Sequence, residues 1–121
     1  MGLVSDGRAG TQQLKWDALG LDGWFEGVVF SDTLGREHWK PHPLPFLTVA
    51  KQLEIEPDSC IYVGDNPTKD FIGARAAGMA SIRIRRLHGI YYDKVALPEC
   101  EPDTEISNLH ELKKSIDSIN Q

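Results

Sequence analysis

The chain has 121 residues, 40% of them hydrophobic, and a formal net charge of −5 at pH 7, the size and composition of one small globular domain with enough apolar residues for a core. The acidic balance argues against a protein that neutralises nucleic-acid phosphates over a broad face. No apolar run approaches the length of a membrane span, and the opening "MGLVSDGRAG" lacks the basic start and long apolar centre of a secretion signal, so the sequence predicts a cytoplasmic chain with neither a nucleic-acid nor a membrane partner.

Taken in order, the predicted elements alternate. Leu3 and Val4 form a brief apolar start, a strand, and "TQQLKWDALG" follows as a helix with Leu14 and Ala18 at helical spacing and Gly20 at its stop. "GVVFSD", Gly27 to Asp32, reads as a second buried strand. "PFLTVAKQLEI" then places Phe46, Val49, Ala50 and Leu53 at i, i+3, i+4 and i+7, one face of a helix. "CIYVGD" is a third strand. Beyond it, Asn66 before Pro67 reads as a helix N-cap with proline at the first helical position, and Asp65 and Asp70 then do no more than favour the positive helix end, unless they hold something. "PTKDFIGARAAGM" has the small residues Gly73, Ala74, Ala76 and Ala77, suited to a helix lying close on a sheet, with Gly78 as a left-handed cap. "ASIRIR" is a fourth strand. Arg83, Arg85 and Arg86 read as its solvated end rather than as a binding patch. "RRLHGIYYDKVALPECEP" is loop-like, and "DTEISNLHELKKSIDSI" reads as a short strand and a helix with Leu109, Leu112, Ile116 and Ile119 facing inward. Cys60 and Cys100 stand in unlike contexts with no Cys-x-x-Cys pair, which predicts free thiols rather than a disulfide or a zinc site.

Alternating strands and helices with short connections predict an α/β fold: an open parallel sheet covered by helices on both faces, in one domain over 1–121. Ligands of such sheets bind at the carboxyl ends of the strands. The residues placed there are Ser5 with Asp6, Ser31 with Asp32, and Asp65 with Asn66. Lys40, pinned between Trp39 and Pro41 with Pro43 and Pro45 following, joins them as a lysine whose freedom the prolines reduce. His38 and His42 flank it at i and i+4, but the same prolines argue against a regular helix here, so the two imidazoles need not share a face as metal ligands would.

"GLVSDG", then "WKPHPLPF", then "VGDNPTKDFIGARAAGM" resemble, in this order and at credible spacing, motifs II, III and IV of the haloacid dehalogenase-like hydrolase superfamily, over about Gly2 to Arg85. "PDTEISNLHEL" is similar to the final strand and helix of many members. The resemblance implies a Rossmann-like core and a role for each matching residue. Ser5, with the backbone N–H of Asp6 after it, binds the substrate phosphoryl group. Lys40 neutralises charge on that group and on the nucleophile. Asp65 coordinates Mg2+, and Asp70 orients the metal shell and the lysine. A hard cation that takes carboxylate oxygens, keeps waters and bridges to phosphate suits such a set. The implied activity is magnesium-dependent hydrolysis of a small phosphorylated metabolite through a phosphoaspartate. Phosphonate cleavage remains open, whereas a dehalogenase has no need of magnesium.

The family's nucleophile sits in a D-x-D-x-T/V motif ahead of motif II. Neither "SDGRAGT" nor "FSDTLG" reproduces it. The sequence therefore predicts a partial core domain, the carboxyl-terminal portion of a larger chain, a truncated reading frame or a fragment, with no recognisable cap, its nucleophile outside this chain and negligible turnover alone. In the family, the strand carrying that motif lies centrally, between the strands of motifs II and IV. Either those two strands pair directly here, or an upstream segment or a second copy completes the sheet. A catalytically silent module or interaction partner of a larger enzyme is the alternative, and a doubly wound phosphate- or nucleotide-binding module fits the fold but not the ordered motifs.

Overall fold

Short apolar runs bounded by turn residues become strands, and the segments between them close back over the strands as helices. The computed structural model describes residues 1–120. In chain order the elements are β1 (Gly2–Ser5), α1 (Ala9–Leu19), β2 (Gly27–Phe30), α2 (Leu44–Leu53), β3 (Ile61–Gly64), α3 (Phe71–Ala77), β4 (Ala80–Ile84), β5 (Thr104–Ile106) and α4 (Leu112–Ile119). Every strand pairing is parallel. Gly20 and Gly78 end α1 and α3 in the left-handed conformation, as their positions predict.

The pairings form two sheets, β1-β2 and β3-β4-β5. The strands of "GLVS" and "IYVG" are therefore not hydrogen-bonded to each other, and the direct pairing that was one expectation does not occur. What joins the two sheets is packing. Val4 and Val29 from the first share one apolar cluster with Phe46, Val49 and Ala50 of α2, with Ala74 and Ala77 of α3, and with half-buried Tyr62 of β3. Phe46 is fully buried, a burial that stabilises by roughly 1.5–3 kcal/mol. The small residues of α3 permit this: a Cβ on Gly73 would lie 2.3 Å from the carbonyl oxygen of Pro41. A second cluster packs Ile82, Ile84 and Ile106 against Leu112, Ile116 and Ile119 of α4.

Four expectations need correction. Leu14 and Ala18 of α1 face solvent, and the helix is instead anchored by Trp16, which packs on Phe25 and Phe30 and donates its indole N–H to Asp22. Asn66 does not open a helix, because its Oδ1 accepts from both the N–H and the hydroxyl of Thr68, closing a turn that delays α3 to Phe71. Leu109 is exposed. Arg83 is not a solvated strand end: it is 3% exposed and donates to the carbonyls of Tyr91 and Lys94. Cys60 and Cys100 are free thiols, as predicted. Among the described residues no helix is long and apolar enough to cross a membrane.

Candidate functional site

Parallel strands deliver their carboxyl ends to one edge, and four segments converge there: Ser5 and Asp6 after β1, Ser31 after β2, Lys40 in the turn before α2, and Asp65 to Asp70 after β3. Lys40 donates from Nζ to Asp70 Oδ1 at 2.9 Å and to the Tyr62 hydroxyl at 3.2 Å. The side chains of this pair are 10% and 4% exposed. Burial opposes the ammonium, yet the Asp70 charge and the hydrogen bonds to Asp70 and Tyr62 more than offset it, so the Lys40 pKa lies above the usual lysine range and the residue stays charged. Tyr62 is held neutral: burial pushes its phenol up, with Lys40 pulling down and Asp70 pushing further up.

Asp70 orients. Its Oδ1 takes Lys40, and its Oδ2 takes the backbone N–H groups of Asp65 at 3.1 Å and Asn66 at 2.9 Å. Gly64 makes this possible, since a Cβ there would stand 2.5 Å from Asp70 Oδ2. The carboxylate thus folds back under the end of β3 and fixes both the lysine and the backbone that presents Asp65.

Asp6 is a second hub. Its carboxylate accepts from Ser31 Oγ at 2.5 Å, from Lys69 Nζ at 3.0 Å and from the Lys40 backbone N–H at 3.2 Å. Burial raises its pKa, but the donors Ser31, Lys69 and the Lys40 N–H, together with the Lys40 charge, outweigh burial and hold it below the usual aspartate range. Asp6 therefore ties the ends of β1, β2 and β3 together. Ser5 lies beside it, with Oγ 3.2 Å from Gln12 Oε1. Asp32 serves the fold, its Oδ2 accepting the first helical N–H of α1 from Ala9 at 2.9 Å.

Asp65 is exposed at the end of β3, and its carboxylate has no hydrogen-bond or salt-bridge partner among the described residues. Free oxygen donors at a strand end suit a hard cation that keeps several waters and takes one or two carboxylates. Asp65 fits that role as a direct ligand. Asp70, with both oxygens engaged, fits as the group that holds Asp65 in place. Among the described residues there is no cluster of three or more His, Cys, Asp or Glu. No regular helix runs through His38 and His42, as their prolines predict, and the two rings meet edge-on with centroids 4.7 Å apart. Their Nδ1 atoms are occupied by the backbone, at Leu34 O and Leu44 N respectively.

The structure thus brings Ser5, Asp6, Lys40 and Asp70 together and sets Asp65 at the rim. Ser31, expected at this edge, joins the network through Asp6, and Tyr62, Lys69 and Gln12 belong to it without having been singled out. Lys69 stands one residue before Asp70, and Tyr62 three before Asp65. Only the contact across strands reveals their partners.

Residues 1–84 match the family model described as haloacid dehalogenase-like hydrolase. The chain is 40% identical over 113 residues to the glyceraldehyde 3-phosphate phosphatase of Methanopyrus kandleri, covering 93% of this chain and 47% of that protein. To the phosphoglycolate phosphatase of Xylella fastidiosa (strain Temecula1) it is 45% identical over 67 residues, 53% of this chain and 28% of the relative. The crystal structure of the HAD-hydrolase YfnB from Bacillus subtilis bound to magnesium superposes with a TM-score of 0.78 at 25% identity, covering 96% of this chain and 48% of that one. The chain spans less than half the length of each of these relatives.

Proposed function

We propose, since this chain belongs to the haloacid dehalogenase-like hydrolase family, that it is the phosphate- and metal-binding part of a phosphohydrolase acting on a small phosphate ester. The observation that carries this reading is the buried ammonium of Lys40, fixed by Asp70 and Tyr62 at the strand ends, in a residue whose backbone N–H bonds to Asp6, the neighbour of Ser5. A fixed cation on the edge that also carries the Ser5 hydroxyl suits a phosphoryl group, where preorganised charge acts without having to reorganise. The relatives' names differ in substrate, and both are small phosphate esters.

In this reading Ser5 Oγ and the N–H of Asp6 bind phosphoryl oxygens, and Lys40 neutralises the charge that builds on them. Asp70 holds Lys40 in position and aims Asp65. Mg2+, held by Asp65, would supply Lewis-acid stabilisation of the transferring group. The attacking carboxylate is not found among Asp6 and Asp70, whose oxygens are all engaged, nor at Asp32, which caps α1. We assign it to a strand supplied from outside this chain, an upstream segment or a second copy, pairing with the edges of β1 and β3 that have no strand partner. The phosphoaspartate forms there. Such an arrangement makes the chain alone a binder rather than a catalyst.

Titration of the chain with orthophosphate tests this. Binding should weaken about ten- to a hundredfold in Lys40→Ala, the value of one charge-assisted hydrogen bond. Equal binding by the variant would reduce Lys40 to a structural ion pair. Robust Asp65-dependent hydrolysis of an aryl phosphate by the chain alone would place the nucleophile on Asp6 or Asp32.

A further inference from the structure

The arginine run that ends β4 does not dissolve into solvent. Arg83 crosses to the carbonyls of Tyr91 at 2.9 Å and Lys94 at 2.7 Å. Arg85 donates from Nε to the carbonyl of Tyr92 at 2.7 Å and lies 5.2 Å from the centre of its ring. Together they lash the loop after β4 back against the sheet. The loop so held walls a cavity of about 340 Å3 at the carboxyl ends of β3 and β4, at the lower end of the usual range for small-ligand sites.

Three features give this cavity a chemistry. Asp65, the candidate metal ligand, lies on its wall and is the residue the cavity shares with the candidate site. Arg85 and Arg86 both line it, and Asp65 is the one carboxylate that does. Arg85 is partly neutralised by Glu105 at 3.7 Å. Arg86, exposed, has no salt bridge and no side-chain hydrogen bond among the described residues. A free planar guanidinium at the mouth of a small cavity matches a carboxylate, whose two oxygens it can meet in parallel.

We propose that this cavity is the subsite for the non-reacting end of the substrate, and that it selects a carboxylate there through Arg86. The proposal rests on the phosphohydrolase reading for the identity of the ligand's other end, but the carboxylate contact is measurable by itself. Asp65 and Arg86 then divide the work along one small molecule: the phosphoryl end lies toward Asp65 and Lys40, the carboxylate end toward Arg86, and Tyr92 provides an apolar flank between.

Amide chemical-shift mapping of the full chain, titrated separately with malonate and with orthophosphate, tests it. Malonate should shift the amides of Arg86, Tyr91 and Tyr92 saturably, with affinity falling about tenfold in Arg86→Ala and less in Arg86→Lys, which keeps the charge and loses the fork. Orthophosphate should shift Ser5, Asp6 and Lys40 instead. Unchanged malonate binding in Arg86→Ala, malonate shifts away from the cavity, or orthophosphate shifts at Arg86 as large as those from malonate would each overturn the proposal. If orthophosphate fails to move Ser5 and Lys40 while the malonate pattern holds, the phosphohydrolase reading fails and the carboxylate site stands. Because Arg86 is exposed and without partners, the variant's far-UV spectrum should match that of the wild type.

Discussion

Replacing Asp70 by Asn should destabilise the chain more than removing its lysine partner. In Asp70→Asn the Lys40 ammonium, 10% exposed, keeps its burial and loses its counter-charge, a change that typically costs about 3–5 kcal/mol. The amide can still accept from Asp65 and Asn66, but its NH2 then points at Lys40 Nζ, which the carboxylate approached at 2.9 Å. Lys40→Met leaves Asp70 with its two backbone donors, so the residual charge is better compensated and the cost should be about 1–3 kcal/mol. The double variant should recover about 2 kcal/mol relative to the sum of the two, because it buries no unpaired charge. Urea unfolding followed by circular dichroism at neutral pH measures all four proteins, with equal slopes certifying comparable denatured states. The pH dependence carries a sign. Lys40 has a folded pKa above its unfolded value, so its contribution is fully present below about 10.4 and is lost only as pH rises through the higher folded value; the gap between wild type and Lys40→Met should be flat from pH 6 to about 9. An Asp70→Asn protein within about 1 kcal/mol of wild type, or a Lys40→Met protein less stable than Asp70→Asn, would refute the view of Asp70 as the counter-charge that makes a buried lysine tolerable.

Two further outcomes follow from the geometry. Mn2+, used as a paramagnetic stand-in for a hard cation, should bind weakly and enhance water relaxation in a way that Asp65→Asn abolishes; identical enhancement in both proteins would remove Asp65 from the metal assignment. Gly73→Ala should cost about 1–3 kcal/mol in stability and also weaken orthophosphate binding, because its Cβ would press on the Pro41 carbonyl and move the turn that carries Lys40; a melt and a titration indistinguishable from wild type would show that the turn can yield.

Strand and helix alternation was legible because it is local. The face of α2 was written in Phe46, Val49 and Ala50, and all three are buried. The site was legible for a different reason: residues directly after parallel strands must share an edge, so Ser5, Asp65 and their neighbours could be placed without knowing any contact. What could not be read was decided by partners distant in sequence. Leu14 has the spacing of a core residue, but Trp16 is the side chain that meets Phe25 and Phe30. Asn66 has the identity of a cap and spends it on Thr68, leaving the position before α3 to Asp70. Arg83 looked like a charge on a solvated end because nothing in "IRIRR" announces the carbonyls of Tyr91 and Lys94. Asp6 was assigned for its N–H, while its carboxylate, joined to Ser31 and Lys69, turned out to be a structural knot.

The division of the strands into two sheets gives this site an unusual sensitivity. Ser5, Asp6 and Ser31 ride on β1-β2, whereas Asp65, Lys69 and Asp70 ride on β3 and the turn after it. Among the described residues no ladder hydrogen bond runs between β1 and β3, so in this chain alone their relative tilt is set by the interlock of α2 with α3, where Phe46 and Ala74 are each fully buried, and by the Asp6–Lys69 ion pair at the strand ends. The constellation acts as a gauge of that tilt. A hinge movement of a few degrees at the helix seam shifts Asp6 and Ser31 on one side against Asp65, Lys69 and Asp70 on the other, and a misplacement of about 1 Å is enough to cost a reaction about a hundredfold. Substitutions at the seam that barely alter the melting temperature should therefore register as lost affinity at a site they never touch.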